Sequence, residues 1–362
     1  MEKEKIKKIA IISTVGLIYD GITSVITSYL ELMNKKGLEI YVISTIKSEP
    51  KIEKKLEKNA CKIVYMPSRK DETIRYFITL IKFIRRNKID VIHAHGNSGT
   101  LAIELLAAWL GGCKKRIAHS HNTRCNQVNA DKLLRPLFNI LYTDALACGV
   151  DAGKWLYGNK SFEILTNGRN IDTYRFDNEK RKKIRSVYGI EDEIVIGHVG
   201  GFFSQKNHLF LIDIYKELRR IIPKCKLFCI GDGPLKTEIE KLSEDLNIIF
   251  TGTIDNVPEY LNAMDGMLLP SLFEGLPLVA IEWQINGLPC IISDSITKEC
   301  MLTNNIKSES ITSSSAVWAE EIIKMIKLNN RLLASDVAYK SILKSNYNLK
   351  NNVDRLRQIY ME

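Results

Sequence analysis

The strongest constraint on this chain is an alternation carried from one end to the other. Short, almost uninterrupted apolar runs are each followed by a stretch with helical periodicity. KIAIIST precedes a helical pattern from Ile22 to Lys36 that Gly37 ends; EIYVIST and CKIVYM follow, then a helix through Arg75 to Arg86. DVIHAH leads into a helix from Thr100 to Leu110, and KRIAHSH, DALACG and FEILTNG complete a first set of strands. After a polar stretch from Asp172 to Lys183 the pattern restarts with EIVIGHVG, a helix from His208 to Ile222, KLFCIGDG and a helix running to Asp245. IIFTG, the amphipathic turn NVPEYLNAM, GMLLPS, a helix from Pro277 to Asn286 and PCIISDS come next, and from SAVWAEEIIKMIKL onward only helical patterns remain. Runs that are apolar throughout, rather than at alternate positions, suit parallel strands covered on both faces by crossover helices. A chain of 362 residues also exceeds what one core normally serves. The expected fold is α/β, with two facing Rossmann-like, doubly wound parallel-sheet domains at 1–172 and 173–346, and a closing helix at about 347–362 packed back on the first. Open parallel sheets bind ligands at the carboxyl ends of their strands, so the cleft between the two domains is the expected site.

Composition narrows the class. The chain is 45% apolar and 26% charged, and no apolar run approaches the ~20 residues of a membrane span. The start, MEKEKIKKIAIIS, carries no signal-peptide pattern, so a cytoplasmic enzyme is expected. Eight cysteines form no C-x-x-C pair and read as reduced, structural thiols. The net charge of +10 favours a polyanion: nucleic acid, an anionic membrane surface or a phosphorylated substrate. The basic clusters KEKIKK, KFIRRNK and KRKKIR sit in helical stretches or their flanks with Phe83 as their one aromatic, as either solvated faces or a membrane-surface patch. With neither a recognition helix nor an aromatic platform, nucleic acid is not an expected partner.

Chemistry is concentrated in the loops after strands. FEGLPLVAIEWQ carries Glu274 and Glu282 eight positions apart in a segment that otherwise reads as buried. Glu274 belongs to the strand-to-helix loop, either capping its own helix or facing a ligand beside the helix amides. Glu282 belongs to the helix, between Ile281 and Trp283, and a sugar-sized ligand could bridge the two carboxylates. GGFFSQKNH offers Gly200, Gly201 and Lys206 for close backbone approach and phosphate charge, and GDGPL repeats the glycine-before-helix arrangement. TVGLIYDGITS lacks the G-x-G-x-x-G spacing, which argues against a nicotinamide cofactor. The pairs His93/His95 and His119/His121 lie at strand ends, where alternate residues share a face. They admit a metal, a hydrogen-bonding or proton-relay role, or plain satisfied polarity; the carboxylate or thiolate ligands a metal hydrolase would add are not evident. No D-x-D spacing occurs, so no metal is expected and bound phosphate must be neutralised by lysine and helix termini.

Taken together, these loops resemble the retaining glycosyltransferases of family 4, also called group 1, which have the two-domain GT-B architecture. SLFEGLPLVAIEWQINGLPCIISD is similar to that family's E-x7-E signature with its trailing strand, and HVGGFFSQKNH to its phosphate loop. HSHNT and QKNH are similar to the bacterial members that build capsule or exopolysaccharide. The resemblance implies a hexosyltransferase without cofactor, using a nucleotide-diphosphate sugar, UDP-linked in the favoured case. By it, Glu282 accepts ribose hydroxyls, while Glu274 with the amides of Gly275 and Leu276 holds sugar hydroxyls and phosphate, and Lys206 stabilises the leaving diphosphate. Gly16, Gly21, Gly201, Asn207, Gly233, Pro270 and Ser271 complete the donor side. His121 is expected beside the reacting sugar, with His95 and His119 towards the acceptor. Three departures stand out: Gly201 replaces the usual arginine, Asp20 precedes Gly21 where paired glycines are usual, and NGRNID replaces N-G-I-D, so that Arg169 is expected to supply the missing charge at the donor. The implied acceptor is a saccharide, lipid-linked through a polyprenyl diphosphate, at the inner face of the membrane. The alternatives are a sugar-nucleotide 2-epimerase of the same architecture and, on the H-x-H pairs, a metal-dependent hydrolase.

Overall fold

The computed structural model describes residues 6–14, 16–18, 20–125 and 127–362. Half of the first basic cluster, and Val15 and Tyr19 of the first glycine loop, lie outside the described residues. Contacts divide the chain into two units, Met1–Asn167 with Leu349–Glu362, and Gly168–Asn348.

The first unit holds a seven-stranded sheet, β1 (Lys7–Ser13), β2 (Leu38–Ser44), β3 (Cys61–Tyr65), β4 (Val91–Gly96), β5 (Lys115–Ser120), β6 (Asp144–Ala147) and β7 (Glu163–Ile164). Its order is β3-β2-β1-β4-β5-β6-β7 and every pairing is parallel. Side chains alternate between two apolar layers. Ile9, Ile11, Val42, Val91 and Ile117 meet α1 (Gly21–Leu32), α2 (Pro50–Lys58) and the closing helix α15 (Leu349–Met361). Ala10, Ile12, Ile43, Ile92 and Ala118 meet α3 (Thr73–Asn87), α4 (Ala102–Leu110), α5 (Val128–Leu141) and α6 (Val150–Tyr157). Burial on both faces is what the unbroken apolar runs demand.

The second unit repeats the plan with β8 (Ile194–Val199), β9 (Cys225–Ile230), β10 (Ile249–Gly252), β11 (Gly266–Leu269), β12 (Cys290–Ser293) and β13 (Ile306–Glu309), in the order β10-β9-β8-β11-β12-β13. One face packs on α12 (Leu278–Ile285) and α14 (Arg331–Leu343), with α7 (Ile171–Tyr174), α8 (Asn178–Tyr188) and α11 (Val257–Ala263) contributing. The other packs on α9 (His208–Ile221), α10 (Lys236–Leu242) and α13 (Ser315–Leu328).

Several elements differ from the sequence expectation. Helix α1 stops at Leu32, four residues before Lys36, because the Asn34 side chain accepts from the Lys36 amide and the chain turns through Gly37 at φ +78° into β2. Helices α2, α5 and α6 stand where none was assigned. The first begins on Pro50, a residue suited to the first helical turn, and the second contains Pro136, which masks its periodicity. The polar stretch after Asp172 is mostly the helices α7 and α8, the latter capped by Asp177, whose carboxylate accepts from the amides of Glu179 and Lys180. Its cluster KRKKIR is a solvated face only in part: Lys180, Lys182 and Lys183 are exposed, whereas Arg181 and Arg185 both reach Asp265, at 2.6 and 2.5 Å, and Arg185 is buried. The eight cysteines are all unpaired, and none of the described helices is long and apolar enough to cross a membrane.

Close approach of two loops locates the polar end of the second sheet. Gly231 follows β9, and a Cβ there would stand 2.1 Å from the carbonyl oxygen of Gly200; one at Gly233 would stand 2.7 Å from the backbone of Phe202. These glycines therefore let one loop lie against another, and hydrogen bonds from Gly200 N to Ile230 O and from Phe202 N to Asp232 O fasten them at 3.0 Å each. Since backbone cannot yield as a side chain can, Gly231→Ala is expected to cost about 1–3 kcal/mol, read as a lower urea midpoint for the second unit.

Candidate active site

In open parallel sheets the strand order reverses at one point, and the loops diverging there leave a crevice at the carboxyl ends. The reversal falls between β8 and β11 in the second unit and between β1 and β4 in the first. The sequence-selected residues lie towards the ends of these strands and their neighbours, on the loops that leave them, or, for Glu282, on the helix that follows.

In the second unit, β8 runs out into a short turn, Ser204–Lys206, followed by Asn207 in the left-handed region at φ +55° before α9. Lys206 Nζ donates to Glu274 Oε1 at 2.5 Å. Ser271 Oγ donates to the same oxygen at 2.8 Å, and Gln205 Nε2 to Oε2 at 3.2 Å. The Ser271 carbonyl is held in turn by the hydroxyls of Ser293 and Ser295, after β12. Pro270 and Ser271 are buried, whereas Gly275 is exposed and a Cβ there would meet nothing. The N–H groups of Gly275 and Leu276, just ahead of α12, have no partner among the described residues. Glu274 does not cap that helix, one of the two readings left open, because it is drawn to the ammonium. Spare capacity remains on both members: lysine has three N–H donors and uses one here, and a carboxylate accepts about four bonds and takes three.

Glu282 is also answered by a cation, the Arg169 guanidinium, whose backbone N–H is fixed on Tyr347 O at 2.8 Å. Burial and the neighbouring Glu282 carboxylate push the Tyr174 phenol up. Each glutamate thus has its own protein cation, and the Arg169 charge expected to stand in for the arginine absent at Gly201 is paired with Glu282. A Cβ at Gly201 would lie 2.7 Å from the Phe203 ring, so a longer residue would displace that ring. Beneath Lys206 lie two buried imidazoles that sequence reasoning passed over, His198 and His208, with ring centroids 4.8 Å apart. Desolvation and the lysine charge hold them at about 3 and about 4, so both are neutral.

In the first unit, Gly16 turns back after β1 at φ +82°, where a Cβ would collide with Ile46 at 2.4 Å. Gly21 opens α1 with free space around it, and Asp20 caps that helix by accepting from Thr23 N at 2.8 Å. The acid that departs from the family pattern thus has a local structural use. The four histidines of the H-x-H pairs share the sheet face beneath α1 and α15. His93 Nε2 lies 3.2 Å from His119 Nδ1, and His95 Nδ1 lies 2.8 Å from His121 Nε2. Register explains it: His95 is paired with His119 across β4 and β5. Desolvation, with the neighbouring rings adding repulsion, pushes His93, His95 and His119 well below the usual imidazole range, and burial brings His121 down to about 3. His93, His95 and His119 offer nitrogens within 4.8 Å of one another, the one such trio among the described residues. Among the described residues no carboxylate or thiolate joins them, and inter-ring hydrogen bonds account for their spacing.

Two doubly wound parallel-sheet domains, each with its polar loops at the reversal point, define the GT-B class. The second unit matches the family model described as glycosyl transferases group 1 over residues 193–327, and the first matches glycosyltransferase family 4 over residues 19–148. A putative glycosyltransferase of Bacillus subtilis, EpsF, is 32% identical over 83% of this chain and 82% of its own length. The Escherichia coli UDP-Gal:alpha-D-GlcNAc-diphosphoundecaprenol alpha-1,3-galactosyltransferase is 23% identical over 80% of this chain and 79% of its own. Among solved structures, HepE of Anabaena in complex with UDP superposes with a TM-score of 0.77 at 14% identity, covering 97% of this chain and 98% of that one. The chain belongs to the family 4, or group 1, glycosyltransferases.

The histidines set a pH limit. Their folded values lie below the ordinary 6.5, so the unfolded chain takes up protons first and the contribution to stability is complete above about pH 6.5. Below it, stability should fall continuously as the pH drops towards the folded values. Denaturant midpoints measured at neutral pH and in mild acid test this, and equal midpoints would contradict it.

Proposed function

We propose that this protein is a retaining, metal-independent glycosyltransferase that moves a sugar from a nucleotide-diphosphate sugar, UDP-linked in the favoured case, to a saccharide acceptor during capsule or exopolysaccharide synthesis. The observation that carries the reading is the Lys206–Glu274 pair set beside the unpartnered amides of Gly275 and Leu276. An ammonium with spare donors and a helix N-terminus suit a diphosphate, and a carboxylate with a spare acceptor suits a sugar hydroxyl. Lys206 and the amides neutralise the leaving diphosphate in place of a cation, consistent with a sequence that has no D-x-D. The bond from the anomeric carbon to the diphosphate breaks as the acceptor oxygen bonds to the same face of that carbon, and the acceptor's proton passes to the departing phosphate oxygen. No enzymic nucleophile is then needed. Glu282, held by Arg169, is assigned to the ribose, with Gly16, Gly21, Gly201, Asn207, Gly233, Pro270 and Ser271 shaping the donor loops. His121 is assigned to the reacting sugar, and His95 and His119 to the acceptor.

The UDP preference draws on the Escherichia coli relative, named for a UDP-Gal donor and a diphosphoundecaprenol acceptor, and on HepE, crystallised with UDP. A panel of UDP, GDP and ADP sugars tested by thermal shift should give one stabilising donor, since ligand binding to the folded state raises the melting temperature by mass action. Lys206→Ala should diminish that shift and lower kcat by about 10²–10³; absence of a shift with every sugar would refute the reading.

A lipid-linked acceptor fits a peripheral position at the inner face of the membrane. The outer sides of α3, α4 and α5 expose Ile74, Ile78, Trp109, Leu133 and Ile140 beside Lys82, Arg85, Arg86 and Lys132, a mixture suited to an anionic bilayer surface. Sedimentation with phosphatidylglycerol vesicles should show binding that weakens with salt and falls in an Arg85→Glu/Arg86→Glu variant; equal recovery in the supernatant with and without vesicles would remove the membrane assignment.

A further inference from the structure

The closing helix of the first unit enters the histidine column at one point. The Tyr360 hydroxyl, on a fully buried side chain, lies 2.6 Å from His93 Nδ1. His93 Nε2 lies 3.2 Å from His119 Nδ1, and the far nitrogen of that ring, His119 Nε2, is buried with no partner among the described residues. We propose that Tyr360 is a positioning residue: by donating to His93 it fixes the tautomers along this chain, so that His119 carries its proton on Nε2 and offers it as a hydrogen-bond donor.

The direction follows from counting protons. Each neutral imidazole has a single N–H. With Tyr360 donating, His93 is protonated on Nε2, donates to His119 Nδ1, and leaves the proton of His119 on Nε2. One polar group in the chain, the His119 N–H, then lacks a partner. Reversed, His119 Nδ1–H donates to His93, and His93 Nδ1–H donates to the phenol oxygen. Two groups are then stranded, because the phenol O–H has no other hydrogen bond among the described residues and His119 Nε2 is left as a bare lone pair. Unsatisfied buried groups are penalised, so the first sense is preferred.

The other pair, His95 Nδ1 and His121 Nε2 at 2.8 Å, has no such polariser among the described residues: no hydroxyl of theirs hydrogen-bonds to either ring, and the shared proton can sit in either sense. Tyr360 therefore distinguishes His119 from its neighbours. A cavity of about 10 Å³, room for about one water, borders His93, His95, His119 and Tyr360. A His119 N–H suits the lone pair of a saccharide hydroxyl or a phosphate oxygen. The catalytic consequence rests on assigning this column to the saccharide; the tautomers do not.

Long-range ¹H–¹⁵N spectra of ¹⁵N-histidine-labelled enzyme at neutral pH report which ring nitrogen carries each proton. The expected result is Nε2–H for both His93 and His119 in the wild type. In Tyr360→Phe either sense strands two groups, so His93 should carry its proton on Nδ1 in a substantial share of molecules, and kcat with the productive sugar nucleotide should fall about twofold while KM for the donor changes little. A wild-type His93 protonated on Nδ1, or tautomers unchanged in the variant, overturns the proposal. The wild-type spectrum decides even if Tyr360→Phe does not fold. Tautomers that shift while turnover holds would uphold the tautomer control by Tyr360 and sink the assignment of the column to the saccharide.

Discussion

Each sheet is parallel and covered by helices on both faces, and this coverage governs where anything polar can go. Strand interiors have both surfaces occupied by isoleucine, valine, leucine and alanine, so charge is admitted mainly where strands end and loops take over. The reversal points then determine which loops can part from one another. The Gly16 and Lys206 turns, the Glu274 loop and the histidines of β4 and β5 all owe their placement to that topology.

Charge that does enter the protein is answered from within. Glu104 is fully buried and held by Arg69 at 2.6 Å; Asp265 takes Arg181 and Arg185; Glu282 takes Arg169. Removing either partner would strand a charge out of water, a larger loss than the pair itself is worth. Some of these guanidinium groups also serve backbone carbonyls, as Arg69 does with Thr100 and Arg185 with Ala263, which makes those pairs part of the framework. Lys206 with Glu274 is different in kind: a compact ammonium with free donors, next to unpartnered amides. It is the pair best able to exchange partners with a ligand.

The doubly wound plan was legible because buried parallel strands leave a signal in every short run. Pairings at the strand ends were legible only as motifs. QKNH and FEGLP announced a phosphate loop and a carboxylate, but nothing local says that Lys206 will meet Glu274 across 68 positions, or that Arg169 will cross 113 to reach Glu282. Short helices were lost for physical reasons: α6 has eight residues and contains Gly153, and α5 is interrupted by Pro136. The cluster at Lys180–Arg185 misled because charge patterning cannot tell a solvated arginine from one folded inward onto Asp265. Asp20 read as a misplaced anion although its position three residues before Thr23 is that of an ordinary helix cap.

The closing helix makes the first unit discontinuous. Leu349, Val353, Leu356, Ile359 and Tyr360 fill a layer begun by Ile9 and Ile11, yet they are synthesised after the whole of Gly168–Asn348. During translation the second unit can close on its own contiguous segment, while the first must wait with one side of its sheet only partly covered, by α1 and α2. The order of completion on the ribosome is therefore the reverse of the order in the gene, and a nascent chain stalled short of Leu349 would expose apolar surface and a half-built histidine column to chaperones.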